Sequence, residues 1–302
     1  MNIEQSESRS INLLCSLLGY SRQSYYQFKK ATETEALQHD LILQKVTAIR
    51  KQQKRLGTRK MIFMMQGFMQ EHHIEIGRDK MFDLLASKGL LIRKRKCRIP
   101  RTTYSDHWMR KYPNLIREFI PTASNQLWVS DITYIHLFDD FVYLSLITDA
   151  YSRKIVGFYL SETLEASGCL KALMMALSNN SQRGRLIHHS DRGSQYCCAE
   201  YVSLLAKHFI KISMTESGDP LENALAERVN GVLKEELLEE KYLNYEQARH
   251  AVSVAVSIYN HHRPHGSIDL LTPEEAHYRE GELKRRWRNY YSNYKRKEAV
   301  MT

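Results

Sequence analysis

The order of the apolar segments is the feature that most limits how this chain can fold. Three β-like runs follow one another directly, joined by short turns, at 128–135, 141–148 and 154–160. Helical and β-like patterns then alternate: a helix at 164–179, a strand at 186–189, a helix at 197–207, a strand at 210–214 and a helix at 221–239. Adjacent strands favour antiparallel pairing and strands separated by a helix favour parallel pairing, so the pattern predicts an α/β fold with a mixed sheet covered by helices.

Three carboxylates occupy unusual places in this pattern. Asp131 lies inside the first β-run (WVSDITYI), Asp191 directly follows the fourth (LIHHSDRGSQY), and Glu227 lies in the helix after Pro220, with 35 residues between Asp191 and Glu227. A charged side chain in an apolar strand is costly unless it is paired or bound to metal. Taken singly, each would more often be a cap or an ion-pair partner. Taken together, they predict a site at a sheet edge.

Oxygen ligands of this kind suit Mg²⁺, with Mn²⁺ as a substitute. Two such ions, about 3.5–4 Å apart, can activate the attacking oxygen and stabilise the leaving oxygen in phosphoryl transfer. The carboxylates therefore favour a two-ion centre acting on phosphate esters.

The charge of the chain is distributed in three blocks. The net charge is +10, but residues 1–120 carry 23 basic and 11 acidic residues, 121–278 carry 13 and 20, and 279–302 carry 8 and 3. Basic ends around an acidic centre fit a protein that contacts phosphates and binds metal, although solvated charged surface would give the same numbers.

The basic amino-terminal block shows helical patterns. Residues 10–30 predict two short helices broken at Gly19, and helices at 37–53, 58–72 and 78–88 predict a second helix-turn-helix-like unit. Cationic clusters lie on both sides of that unit: Arg55, Arg59 and Lys60 with Lys51 and Lys54, and Arg93, Lys94, Arg95 and Lys96 with Arg98. We expect DNA contact here, and the alternative is a small helical domain with a soluble surface.

These patterns predict four regions. They are an all-α DNA-binding region at 1–98, a proline-containing linker at 99–124, a catalytic core at 125–278 and a basic tail at 279–302. The tail mixes cations with tyrosines and a tryptophan, which suits either nucleic-acid backbone binding or a solvated helix.

Several classes of protein do not fit the sequence. No apolar run approaches the roughly 18 residues of a membrane span, and the amino-terminal residues lack the basic and apolar regions of a secretory signal. Five cysteines without C-x-x-C spacing argue against a disulfide framework or a structural zinc site. We expect a cytoplasmic protein.

The segments WVSDITYI, HHSDRGSQY and ENALAERVNGVLKEE, with YNHHRPHGS and TPEEA downstream, resemble the DDE transposases of bacterial insertion sequences. The resemblance extends over nearly the whole chain and is specific to the second-frame product of the insertion-sequence-three group. It implies an RNase H-like (retroviral integrase-like) mixed-sheet core behind an N-terminal helix-turn-helix region. The implied activity is metal-dependent cleavage and strand transfer of insertion-sequence ends.

The resemblance also assigns residues. Asp131, Asp191 and Glu227 match the three catalytic and metal-binding carboxylates, and Lys234 matches a basic residue seven positions beyond the glutamate that could hold a DNA phosphate. Arg192, beside Asp191, and Arg263, in the carboxy-terminal signature, are further candidates for DNA contact. Arg263 could equally pack beneath the site.

One position departs from the family pattern. Glu222 stands where the family commonly has aspartate and competes with Glu227 for the third role. Only 30 residues lie between Asp191 and Glu222, compared with 35 between Asp191 and Glu227. Glu222 lies five positions before Glu227, so on a helix the two side chains face different directions. We therefore expect Glu227 to be the third carboxylate.

The resemblance implies terminal inverted repeats and target DNA as partners, a homo-oligomer on paired ends, and a possible helix-turn-helix partner from an upstream frame. It also implies a bacterial, nucleoid-associated location. Three alternatives stay open: a retroviral-type integrase, a nuclease of the RNase H class, and a domesticated DNA-binding regulator that has lost the chemistry.

Overall fold

A computed structural model describes residues 11–92, 107–178, 185–216 and 223–284. The chain forms two compact units, Met1–Ile92 and Arg93–Thr302, and each is described by itself. No helix within the described residues is long and apolar enough to span a bilayer.

The first unit is helical. Helix α1 covers residues 11–17 and is followed by Gly19, whose φ of 73° is accessible to glycine without strain. Helix α2 begins after Ser21, whose hydroxyl accepts a hydrogen bond from the Ser24 amide at 3.0 Å. The helices are α2 (Arg22–Gln52), α3 (Thr58–Met64), α4 (Gln66–Glu71) and α5 (Arg78–Ser87).

One apolar cluster holds the carboxy-terminal part of α2 against the later helices. It contains Ile42, Val46, Leu56, Met61, Met65, Ile74, Met81, Leu84 and Leu85. The two helices predicted around residue 30 and at 37–53 are one continuous helix, because neither glycine nor proline interrupts α2. The helix predicted at 58–72 is divided in two at Met65.

The second unit contains a five-stranded sheet. Its strands are β1 (Leu127–His136), β2 (Phe141–Asp149), β3 (Ile155–Ser161), β4 (Ile187–Ser190) and β5 (Lys211–Met214). The order is β3-β2-β1-β4-β5, with β2 antiparallel to both of its neighbours and β4 and β5 parallel to β1. This confirms the predicted α/β, RNase H-like mixed sheet, and the strand positions agree with the prediction to within one or two residues.

Helices cover both faces of the sheet. On one face α6 (Ala166–Ser178), α7 (Ser194–Cys197) and α8 (Ala199–Lys207) form an apolar cluster with Trp128 and Ile147. On the other, α9 (Ala224–Val232) and α10 (Tyr245–His261) pack on Ile135, Leu144 and Leu146. Because successive side chains of a strand alternate between faces, Asp131 and Thr133 point to the α9 face and Ser130 to the opposite face.

Two features of the α9 region differ from the predicted helix at 221–239. Regular α-helix ends at Val232, and a π-helical turn covers Leu233–Leu237. Helix α10 follows, although no helix was predicted there. Its signals are Asn244, whose side chain accepts a hydrogen bond from the Gln247 amide at 2.9 Å, and an apolar stripe that includes Val252 and Val256.

The segment 107–124 packs on the sheet and helices of its own unit. Met109 and Tyr112 pack against the α6–α8 cluster, and the Met214 amide donates to the Pro113 carbonyl at 3.3 Å. This part of the predicted linker is therefore held on the sheet near the carboxyl end of β5. The domain boundaries stay predictions.

Candidate active site

Asp131 lies in the middle of β1 and points toward α9. Its Oδ1 accepts a hydrogen bond from the Ile132 amide at 2.9 Å, and its Oδ2 accepts one from Asn230 Nδ2 at 2.7 Å. Both oxygens are thus oriented by neighbouring groups, one on the strand and one on the helix.

The pKa of Asp131 is raised to about 7. Burial is the largest cause, the charge of Asp191 is the second, and Glu227 adds to the rise, whereas the hydrogen bonds from Ile132 and Asn230 act in the opposite direction. The carboxyls of Asp191, in the loop after β4, and Glu227, in α9, therefore both act electrostatically on Asp131.

Asp191 lies in a tight turn between β4 and α7. Its Oδ1 accepts a hydrogen bond from the Gly193 amide at 3.0 Å. A Cβ at position 193 would come within 3.0 Å of both Asp191 Oδ1 and Gln195 Oε1, so the turn leaves little room for a side chain. The side chain of Gln195 is itself held in place, because its Nε2 donates a hydrogen bond to the Leu164 carbonyl at 2.9 Å.

Glu227 lies in the first turn of α9 and is exposed overall, although partial burial of its carboxyl raises its pKa. The start of α9 is joined to β1 by Asn223, whose Nδ2 donates to the Ser130 carbonyl at 3.1 Å. Asn230 follows Glu227 by three positions, which places both on the same side of the helix. One helix turn therefore presents a carboxylate and an amide toward Asp131.

The three carboxylates interact electrostatically but are not gathered around one point. No group of three His, Cys, Asp or Glu side chains in the described residues lies close enough to hold a metal ion. The donor chemistry nevertheless fits Mg²⁺ or Mn²⁺, because all three donors are carboxylate oxygens. A nearby cation would also oppose the repulsion that raises the pKa of Asp131.

Lys234 lies at the same face of β1. Its Nζ donates to Thr133 Oγ1 at 3.1 Å and stands 3.9 Å from the centre of the Tyr134 ring. Thr133 is two residues beyond Asp131 on the strand, so the Lys234 ammonium borders the carboxylate site.

Arg263 is buried, with 2% of its surface exposed, and makes a two-point ion pair with Glu236, at 2.9 Å from Nε to Oε2 and 2.7 Å from Nη2 to Oε1. It joins the π-helical turn to the segment after α10. Because its guanidinium is buried and paired, Arg263 fits the packing role better than a DNA contact.

The other predicted DNA-binding residues are dispersed. Arg192 is half-buried beside Asp191. In the first unit Arg59 is exposed, and Arg55 and Lys60 are half-buried. Outside the described residues lie Glu222, Arg93, Lys94, Arg95 and Lys96.

Two features of the site were not predicted from the sequence. Asn230 is one, and its spacing from Glu227 was the available signal. The other is a buried group behind β1, in which His188 Nε2 lies 2.6 Å from Ser130 Oγ and 2.9 Å from the Tyr201 hydroxyl. Burial lowers the pKa of His188 to about 3, so the imidazole is neutral and serves the fold on the face opposite Asp131.

Comparisons with known proteins identify the relatives of this chain. Two family models described as "Integrase core domain" match residues 121–220 and 208–273. The "Insertion element IS600 uncharacterized 31 kDa protein" of Shigella sonnei is 35% identical over 267 residues, covering 86% of this chain and 96% of the relative.

The "Putative transposase for insertion sequence element IS986/IS6110" of Mycobacterium tuberculosis (strain ATCC 25177 / H37Ra) is 35% identical over 217 residues, covering 68% of this chain and 77% of the relative. Among solved structures, the HTLV-2 integrase catalytic core domain in complex with magnesium (trimeric form) is 18% identical, covering 52% of this chain and 98% of that chain, with a TM-score of 0.42.

Proposed function

The chain belongs to the insertion-sequence transposases with an integrase-type core, which act in DNA transposition and integration, and on this premise we propose that Asp131, Asp191 and Glu227 are its catalytic carboxylates. They would bind two divalent ions, Mg²⁺ or Mn²⁺. The reaction is cleavage at the element's ends followed by attack of the exposed 3′ hydroxyl on a target phosphodiester.

The observation that carries this proposal is the environment of Asp131. A carboxylate in a buried strand, with its pKa raised first by burial and further by two carboxylates from separate elements, is unfavourable for the fold alone. Its retention together with a dedicated amide donor, Asn230, is understandable if the site binds a cation.

The protein groups would act by holding and orienting. When bound, the ions supply activation of the attacking oxygen and stabilisation of the leaving oxygen. Asn230 fixes the plane of the Asp131 carboxylate, and the Gly193 amide fixes that of Asp191. No side chain is needed as a nucleophile, because water and the DNA 3′ hydroxyl fill that role in turn.

Lys234 is proposed to hold a DNA phosphate at the rim of the site. Its ammonium already lies at the Asp131 face of β1, where it donates to the Thr133 hydroxyl, and an ammonium forms stronger hydrogen bonds with a phosphate than with a neutral acceptor. Arg192, beside Asp191, is proposed to contact the same backbone.

The first unit is proposed to bind the terminal repeats through Arg55, Arg59 and Lys60, with Arg93, Lys94, Arg95 and Lys96 adding to the contact. Cutting and joining two ends requires them to be brought together, so we propose a homo-oligomer on paired ends. A partner from an upstream frame is an additional candidate.

The test is strand transfer on DNA that carries the element's terminal repeats, in the presence of Mg²⁺. Asp131→Asn and Glu227→Gln should each lower the product by at least 100-fold, because the loss of a metal ligand leaves the transition-state charge unsupported. Asp139→Asn, in the exposed β1–β2 turn, is the matched control and should stay active.

The same assay decides between Glu227 and Glu222. Glu222→Gln should retain strand transfer. If Glu227→Gln were active and Glu222→Gln inactive, the third carboxylate would be Glu222.

A further inference from the structure

Trp108 is the most exposed large apolar side chain in the described residues, with 93% of its surface accessible. An indole left in water contributes none of the stabilisation that its burial would give, so it is available to a ligand. It lies in the segment HWMRKY at 107–112, directly after His107, and is followed by two cations, Arg110 and Lys111.

The segment is anchored on both sides of Trp108. His107 Nε2 lies 2.8 Å from the Arg192 carbonyl, in the turn that follows Asp191. Met109 and Tyr112 are partly buried against the α6–α8 cluster. The side chains at 107–110 alternate between half-buried and exposed, so the anchors face the protein while Trp108 and Arg110 face solvent. The backbone beneath the exposed ring is thus fixed.

This strip lies beside the candidate active site. The contact of His107 is with the residue next to Asp191. Burial raises the pKa of the Cys197 thiol to about 11, with Asp191 adding to the rise, while Lys111 and Arg192 oppose it. Lys111, Arg192 and Asp191 therefore all lie within electrostatic range of the same thiol, at the end of α7.

Charge indicates what the strip binds. Arg110 lies over the Tyr112 ring, 5.1 Å from its centre, and Arg110 and Lys111 are both exposed. An exposed aromatic ring beside cations is the combination that binds unpaired nucleic-acid bases, since the ring stacks on a base and the cations contact phosphates. A base pair inside a duplex is covered on both faces by its neighbours and presents no free face to the ring.

We propose that Trp108 stacks on an unpaired DNA base beside the active site and that Arg110 and Lys111 contact the adjoining phosphates. This rests on the proposed function, because it takes DNA as the ligand. The stacking of Trp108 predicts that the protein prefers DNA ends with unpaired nucleotides. Contacts to duplex DNA alone would not give this preference.

The test compares two fluorescent DNA probes at fixed salt: a blunt 30-base-pair duplex and the same duplex with a five-nucleotide 3′ single strand. Wild type should bind the overhang probe more tightly. The affinity of Trp108→Ala for that probe should be about tenfold or more lower than that of wild type, given the usual contribution of stacking on one base. Its affinity for the blunt probe should change little. Trp108→Phe, which keeps a ring, should retain most of the preference.

Controls separate stacking from general damage. Phe209→Ala removes an exposed ring at the opposite end of β5 and should leave both affinities unchanged. The double substitution Arg110→Ala and Lys111→Ala should weaken the binding of both probes and lower the salt dependence of that binding. Binding of the overhang probe should quench tryptophan emission in wild type more than in Trp108→Phe.

Equal binding of the overhang probe by Trp108→Ala and wild type would overturn the proposal. So would an equal loss on both probes. These outcomes do not depend on catalysis, because both probes report binding: a failure of the proposed chemistry would appear in strand transfer, while the overhang preference of wild type remained.

Discussion

Single residues around Asp131 show how its carboxylate is positioned and oriented. The strand fixes the position of the carboxylate, but its orientation depends on Asn230, one turn after Glu227 on α9. Asn230 is 5% exposed, and its buried Oδ1 has no hydrogen-bond partner among the described residues. The amide is therefore held in a costly place, which is expected if its donor is needed by Asp131.

Asn230→Leu should test this positioning role. The substitution keeps the side-chain volume and removes the donor, so the carboxylate loses its orientation while the core stays filled. We expect strand transfer to fall about 10- to 100-fold, the usual effect of losing a group that orients a metal ligand. The Mg²⁺ concentration for half-maximal activity should rise as well.

A purely structural role would change the melting temperature without changing the Mg²⁺ dependence. An unaltered Mg²⁺ titration for Asn230→Leu would therefore contradict the assignment.

Among the elements, β3 and α6 approach each other unusually closely. A Cβ at Gly157 would lie 2.2 Å from the Ala172 carbonyl oxygen and 2.9 Å from the Ala176 Cβ. Glycine is required there because backbone, which cannot rotate away, occupies the space. The contact sets how the helix covers the edge of the sheet.

Gly157→Ala should destabilise the second unit by about 1–3 kcal/mol, as overpacking of a close interface does. Denaturant unfolding followed by far-UV circular dichroism measures it. Gly231→Ala, in α9, is the matched control, since a Cβ there meets nothing within 4 Å and alanine is the better helix former. Equal stability of Gly157→Ala and wild type would show that the helix can move away from the strand.

The elements also show what the sequence could predict. All five strands were predicted, because each is a short apolar run bounded by turns. Helix α10 and the π-helical turn Leu233–Leu237 were not. The turn has no local signal and is accompanied by the buried ion pair between Glu236 and Arg263, two residues 27 positions apart. Long-range pairs of this kind are invisible in local periodicity.

Across the whole molecule, the three carboxylates are far apart in sequence and are brought together by the sheet order. β1 and β4 are neighbours, and α9 packs on β1, so Asp191 and Glu227 both come within electrostatic range of Asp131. The residue types and the 35-residue spacing could be read from the sequence. Asn230 and the anchored Trp108 could not, because their roles depend on contacts with Asp131 and with the turn after Asp191.

The central claim is that Asp131 binds a catalytic divalent ion, and a metal-specific rescue tests it most directly. Wild type should perform strand transfer with Mg²⁺ and with Mn²⁺. Asp131→Cys should be inactive with Mg²⁺, which binds sulfur poorly, and should recover measurable strand transfer with Mn²⁺, a softer ion. Asp131→Ser should be inactive with both ions. Full activity of Asp131→Cys with Mg²⁺, or of Asp131→Ser with either ion, would contradict the account.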